Sequence, residues 1–266
     1  MISRLPGLSL PERAWGVVRR WALAWWRILY LGAVVCVLVL SPSSYGKVTR
    51  RALARHLYLD TAPVLLGFTV LAALISLVLT RIVVVTAISY GLSRYALEMV
   101  IRVLVLELIP LTAALFVAMR CTIPNGTQLA LLRQSGHLAR LSHAGADPIR
   151  VELLPRAVAG VFACITLAAL SCVVALVLAY LGVYGFSLAG LPSYTRMFGH
   201  VFSPAVTLVF AIKTLLSSLA VALIPMTAGL YDMGESRSQD SELGGLARMF
   251  AVLLLIEVAS LVGNYY

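Results

Sequence analysis

Long apolar runs without a charge constrain this chain more than any other feature. The clearest covers residues 157–183, which contain no Asp, Glu, Lys or Arg. A helix needs about 20 mostly apolar residues to cross the hydrocarbon core of a bilayer. Only 12% of the 266 residues are charged, against about 25% in an average soluble domain. The sequence therefore predicts an integral membrane protein built of α-helices.

Five runs are long and apolar enough to be transmembrane helices. They cover residues 62–80 (with an apolar continuation to 89), 103–119, 157–183, 203–230 and 249–262. The last run is the shortest, and we expect it to extend into residues 264–266 at the interface. The predicted fold is all-α, with five transmembrane helices in residues 57–266. Residues 1–56 form an N-terminal region that precedes them.

A further apolar run, Trp21–Leu40, is divided by Arg27, and its uncharged part is short. Its start is basic and rich in tryptophan, which is typical of a helix lying in the headgroup plane. We therefore expect an interfacial (elbow) helix here, with a sixth span as the alternative. A signal peptide is disfavoured because no A-x-A cleavage site follows the run.

Basic residues predict the orientation. With the N-terminus in the cytoplasm, the cytoplasmic segments are 1–60, 120–156 and 231–248. They hold sixteen of the 21 Lys and Arg residues, and the opposite side holds four. This bias follows the positive-inside rule and places the C-terminus on the periplasmic side. The net charge of +10 therefore reflects membrane topology, and no nucleic-acid partner is expected.

Catalytic and ligand-binding motifs are missing from the sequence. It contains no Walker A, G-x-S-x-G or H-E-x-x-H pattern. The four cysteines show no C-x-x-C spacing, so neither a disulfide framework nor a zinc site is predicted. We expect no catalytic residue, no metal and no cofactor in this chain.

Three charges lie inside the apolar runs, on three different spans: Glu107, Lys213 and Glu257. Ionisable groups in a membrane are costly and usually functional. A packed bundle could bring the three together, with one carboxylate in excess. The group could line a path for a lipid headgroup or act as a relay in a transport cycle. Alternatively, it is a buried ion pair that fixes helix packing.

The polar segment 120–156 connects two spans. Residues 128–141 are compatible with one helix, on which Arg133, His137 and Arg140 form a polar stripe at i, i+4 and i+7. Asp147 and Pro148 then mark the start of another helix. The segment is either a solvated amphipathic loop on the membrane surface or a helix that docks into a cytoplasmic partner.

Two motifs resemble those of the MlaE/YrbE permeases. Residues 106–120, with L-E-L-I-P, A-A-L and Arg120, resemble the R-E-L-G-P…A-A-L…G-R signature of that family. Residues 144–160, with Asp147-Pro148, Arg150, Pro155-Arg156 and Gly160, resemble its M-x-x-D-P-L-R…P-R-x-x-A-G continuation. Lys213 and Glu257 fall where the family has a Lys and an acid. The resemblance extends from about residue 50 to the C-terminus.

This resemblance implies the permease subunit of an MCE-type lipid ABC transporter in the bacterial inner membrane. Such a subunit forms a homodimer and passes phospholipid or a related lipid to a periplasmic MCE-domain protein. A coupling helix, about residues 128–148, would dock on a cytoplasmic ATPase subunit. Its expected contact residues are Arg133, His137, Arg140, Asp147 and Pro148. Glu107, Lys213 and Glu257 would tune the lipid cavity or the packing around it.

Several residues depart from the family pattern. Leu106 replaces the arginine beside the glutamate, Ile109 replaces a glycine, and Gln128 stands for an acidic residue. Gly136-His137 replaces Glu-Gln, and residues 72–76 lack the expected glycines. The chain is therefore expected to be a divergent member. A non-transporting membrane scaffold is the main alternative, and a lipid-modifying enzyme is a third hypothesis that lacks a catalytic constellation.

Overall fold

A computed structural model describes residues 10–42, 45–91, 93–231 and 239–265, and within these ranges the chain is helical without strands. Part of the expected cytoplasmic segment 231–248 lies outside the described residues. The ten α-helices of the described ranges are α1 (Leu10–Leu40), α2 (Lys47–Ser89), α3 (Ser93–Val100), α4 (Ile109–Val117), α5 (Ile123–Gln134), α6 (His137–His143), α7 (Leu154–Tyr184), α8 (Leu191–Val201), α9 (Pro204–Tyr231) and α10 (Gln239–Tyr265). A short 3-10 turn, Leu188–Gly190, precedes α8.

Six helical segments of the described chain are long and apolar enough to cross a membrane. They are Trp21–Leu40, Thr49–Ser89, Leu97–Gln134, Ile149–Tyr184, Pro204–Tyr231 and Gly244–Asn264. The last five correspond to the five predicted spans. Trp21–Leu40 also qualifies by length and composition, so these criteria do not separate an elbow helix from a sixth span. The expected domain boundary at residue 56 lies within α2.

The buried contacts of α1 lie at one end of the bundle. Leu31, Val35 and Leu38 are buried in a cluster whose other fully buried members are Leu129, Leu153, Leu154, Ala157, Leu223 and Met226. These partners belong to the second half of α5, the junction between the π-helical segment Ile149–Leu153 and α7, and the last third of α9. The apolar half of α1 therefore packs along the bundle end that carries the polar segment 135–148.

In the described ranges, three π-helical segments interrupt the α-helices, at Ile101–Leu108, Ala118–Thr122 and Ile149–Leu153. Each is followed by a proline at the second position of the next α-helix: Pro110, Pro124 and Pro155. A proline has no N–H, and its ring displaces the carbonyl four residues earlier. The wider π turn takes up this displacement, so the helix continues through the proline instead of ending there.

The chain stays helical past Arg120, where the polar segment was expected to begin. The helical rod continues through Pro124 to Gln134, and its residues Asn125, Gly126, Leu129 and Ala130 are buried. The single helix over 128–141 with which the sequence is compatible does not form. Gly136 has φ of +71° between α5 and α6, a left-handed conformation that ends a helix and is accessible to glycine at little cost.

Helices α5 and α9 touch backbone to backbone. A Cβ atom added to Gly126 would lie 2.6 Å from the carbonyl oxygen of Pro225. A Cβ atom on Gly229 would come closer still to the carbonyl oxygen of Gly126. Small residues at such a crossing let two membrane helices approach more closely than side chains would allow.

We predict that Gly229→Ala destabilises the protein by about 1–3 kcal/mol, the usual cost of forcing an extra group into a packed interior. The added methyl would meet a backbone carbonyl, which cannot rotate away. Thermal unfolding in detergent micelles measures the effect. Gly199→Ala is the matched control, because a Cβ there has no neighbour within 4 Å. Equal midpoints for the two variants would contradict the close crossing.

Candidate functional site

A charge centre lies inside the bundle, around Lys213. This residue is ten positions into α9, about 14 Å along the helix from its start, and is 2% exposed. Its ammonium group pairs with the carboxylates of Glu107, on the first π-helical segment, and Glu257, on α10. The three charges that the sequence places on separate spans are therefore in contact. One lysine and two carboxylates joined in this way link three membrane-spanning segments.

A backbone carbonyl completes the surroundings of the ammonium group. Lys213 Nζ also donates to the carbonyl oxygen of Leu106, at 3.2 Å. Pro110, four residues after Leu106, has no N–H to donate to this carbonyl. Backbone groups in a membrane interior must find partners within the protein. The proline thus frees an acceptor, and the buried lysine uses it.

The carbonyl group of the preceding residue, Val105, is also hydrogen-bonded by a side chain from another helix. Cys172 Sγ, on α7, lies 3.6 Å from the carbonyl oxygen of Val105 and donates to it. Val105 precedes Pro110 by five residues, the spacing that a π-helical bond would use. Side chains from two other helices therefore satisfy two carbonyls of this irregular stretch.

Asn264 extends the centre on α10. Its Nδ2 lies 3.3 Å from Glu107 Oε1 and 3.5 Å from Ser260 Oγ. The sequence reading missed this residue, although Asn264 follows Glu257 by seven positions and so shares its helix face. The ammonium is almost fully buried, while the side chains of Glu107 and Glu257 keep 16% and 13% exposure. The two glutamate side chains are thus the more accessible part of the centre.

The residues expected to form a coupling helix have different surroundings. Arg133 Nη1 donates to the carbonyl oxygen of Leu230 at the end of α9, at 2.6 Å. His137 Nε2 lies 3.7 Å from Glu152 Oε1. Arg140 is exposed and donates to the carbonyl oxygen of Ser135 at 3.2 Å. Because Gly136 separates the two helices, these residues do not share one continuous stripe.

Asp147 and Pro148 start the next helical stretch. The Asp147 carboxylate accepts the backbone N–H of Ile149 at 3.0 Å and lies 3.6 Å from Arg150 Nε. An aspartate side chain that bonds the N–H two residues later is a typical helix start. Asp147 is exposed, whereas Pro148 is partly buried.

A second polar cluster joins α2, α5 and the start of α7. Asn125 Nδ2 donates to Asp60 Oδ2 at 2.9 Å. Arg156 pairs with Glu152 one turn earlier, and its charge also acts on His56 and Asp60. The sequence reading used Arg156 only as part of a motif. Its burial, at 7% exposure, could not be read from the pattern.

The fold and the charge centre define an all-helical, multi-pass membrane protein. No group of His, Cys, Asp and Glu suited to a metal ion occurs among the described residues. The family model Permease MlaE matches residues 53–263, and the chain belongs to this family of ABC-transporter membrane subunits. The resemblance read from the two motifs is thereby confirmed. No curated protein matches the chain.

We predict that Lys213→Met destabilises the protein by about 3–5 kcal/mol, the usual cost of removing one partner of a buried ion pair. The change would leave Glu107 and Glu257 facing each other without a counter-charge. Thermal unfolding in detergent micelles measures the loss.

The matched control is the triple variant Lys213→Met, Glu107→Gln, Glu257→Gln, which removes all three charges together. We expect it to regain most of the lost stability, because no uncompensated charge remains. A single Lys213→Met variant as stable as the unmodified protein would contradict the role of the ammonium group.

Proposed function

We propose that this chain is the permease subunit of a lipid ABC transporter in the bacterial inner membrane. It moves phospholipid or a related lipid between that membrane and a periplasmic MCE-domain partner. The observation that carries this proposal is the family match over residues 53–263, which covers all five predicted spans. ATP hydrolysis belongs to a separate cytoplasmic subunit.

The proposed architecture is a homodimer in which each subunit has five spans within residues 57–266 and an elbow helix, α1, in the region 1–56. Two observations support an elbow. The buried contacts of α1 lie at one end of the bundle, whereas a span would contact its neighbours along their length. Arg27 divides the apolar run and stacks over the ring of Tyr231, 5.4 Å from its centroid. The N-terminus is then cytoplasmic and the C-terminus periplasmic.

The proposed ATPase-docking surface is the side of residues 128–148 that faces away from the spans. Arg140 and Asp147 are exposed there, and Arg133 and His137 contact the bundle, so that the segment is held against the spans while its outer side is open. ATP-driven closure of two ATPase subunits would press on this surface in both permease subunits. The lipid cavity between the subunits would be compressed as a result.

The charge centre is proposed to face that cavity through the exposed edges of Glu107 and Glu257. The alternative role is packing alone. The neutral triple variant described above distinguishes the two roles, because it removes the charges and keeps the fold. Lipid transfer by that variant at the normal rate would favour packing.

We expect Arg140→Glu to weaken association with the ATPase subunit by roughly tenfold or more, because a charge reversal within an interface introduces repulsion and leaves a partner group unpaired. The measurement is co-purification of the ATPase with the tagged permease, followed by its rate of ATP hydrolysis. Arg196→Glu, an equal reversal on exposed α8, is the control and should change neither value.

Unchanged association of the Arg140→Glu variant would contradict docking through this surface. The same preparation tests transport against a scaffold function. A transporter stimulates ATP hydrolysis and transfers lipid, whereas a scaffold binds the ATPase without either effect.

If α1 is an elbow helix, both of its ends lie on the cytoplasmic side of the membrane and can be labelled from that side. In a variant without native cysteines, Arg19→Cys and Gly46→Cys place single thiols before and after the apolar part of α1, both at exposed positions. We expect a membrane-impermeant thiol reagent to label both from the cytoplasmic side, in inside-out vesicles. Labelling of the two positions from opposite sides would show that α1 is a sixth span.

A further inference from the structure

The segment 135–148 is held to the bundle at two points. At the end of α5, Arg133 binds the carbonyl oxygen of Leu230 on α9 at 2.6 Å. In α6, His137 lies 3.7 Å from the carboxylate of Glu152. The first contact ends at a backbone carbonyl. The second leads further into the protein, because Glu152 has a second partner.

That partner is Arg156, one turn into α7. Its guanidinium group pairs with the Glu152 carboxylate and donates to the Glu152 carbonyl oxygen at 2.6 Å. Arg156 is 7% exposed, and its Nε atom is buried without a hydrogen-bond partner. The Glu152 carboxylate is therefore the acidic partner of an almost fully buried cation. Arg156 must follow Glu152 if the latter moves.

Arg156 also faces α2. Its charge acts on His56 and on Asp60, and Asp60 is itself bound to Asn125 on α5 at 2.9 Å. Helices α2 and α7 form the most extensive helix pair of the described chain. Polar contacts thus connect α6 through Glu152 to Arg156 in the first turn of α7, the helix that packs along α2.

We propose that Glu152 and Arg156 are positioning residues that transmit movement of α6 to the α2–α7 pair. The proposal rests on the proposed function, since it assigns these residues a place between the docking surface and the spans. When a partner presses on α6, His137 shifts the Glu152 carboxylate, and the buried guanidinium group carries the shift to α7 and to α2, which packs along it. The pair then determines how much lipid is moved for each ATP hydrolysed.

The experiment uses the assembled permease–ATPase complex in liposomes and measures lipid transferred per ATP hydrolysed. We expect Glu152→Gln to lower this ratio by roughly three- to thirtyfold, the range for residues that carry coupling between sites, with the ATPase still bound. Arg156→Lys keeps the charge but not the fork of donors, and it should give an intermediate ratio.

His137→Gln provides a variant without a folding risk. His137 is partly exposed, and its replacement leaves the buried Arg156 paired with Glu152. It should also lower the ratio, and adding it to Glu152→Gln should lower the ratio no further, since both changes break the same link. An unchanged ratio in His137→Gln and Arg156→Lys would overturn the proposal.

Glu98→Gln is the matched control. Glu98 and Arg102 form an ion pair with the same i, i+4 spacing, at 3.1 Å, in another part of the chain. This variant should leave the ratio unchanged, and an equal fall there would overturn the proposal by showing a general effect of lost ion pairs. Failure of the unmodified complex to transfer lipid would refute the proposed function, whereas normal transfer by every variant refutes only this inference.

Discussion

The buried ammonium group of Lys213 is the interaction on which the arrangement of the spans depends. It lies between the carboxylates of Glu107 and Glu257 and beside the carbonyl oxygen of Leu106. A charge in this environment is tolerated only when paired and hydrogen-bonded. Its partners come from two other parts of the bundle, the π-helical segment Ile101–Leu108 and α10, so these contacts hold both elements in place against α9. Apolar packing between membrane helices alone would specify such a register only weakly.

Proline supplies much of the irregular backbone that this bundle uses. The three π-helical segments all precede prolines, and the stretch before Pro110 presents two carbonyls to side chains of other helices. These contacts explain how the chain tolerates Leu106 where the family pattern has an arginine. The side chain at this position is apolar and buried, but its carbonyl still contacts the lysine, so the missing arginine leaves Glu107 with a cationic partner from α9.

The polar segment after the second span has two sides with different properties. Arg133 and His137 contact α9 and the π-helical segment before α7, whereas Arg140 and Asp147 are exposed and have their contacts within the segment and with its neighbours Ile149 and Arg150. The Gly126–Gly229 contact holds the first turn of α5 tightly against the last turns of α9. This surface is fixed to the spans at one side and open at the other, which supports its proposed role in docking.

The sequence alone determined the membrane class, the five later spans and the family, because apolar length and two local motifs are properties of consecutive residues. It also showed that Glu107, Lys213 and Glu257 are costly where they lie. Only the tertiary structure decided that they meet, that Asn264 joins them and that Arg156 is buried, because these facts depend on how separate helices are rotated and packed. The break at Gly136 and the rod through Pro124 were missed for a related reason. Whether a glycine or a proline ends a helix depends on the backbone conformation around it and on the contacts that the neighbouring helices offer.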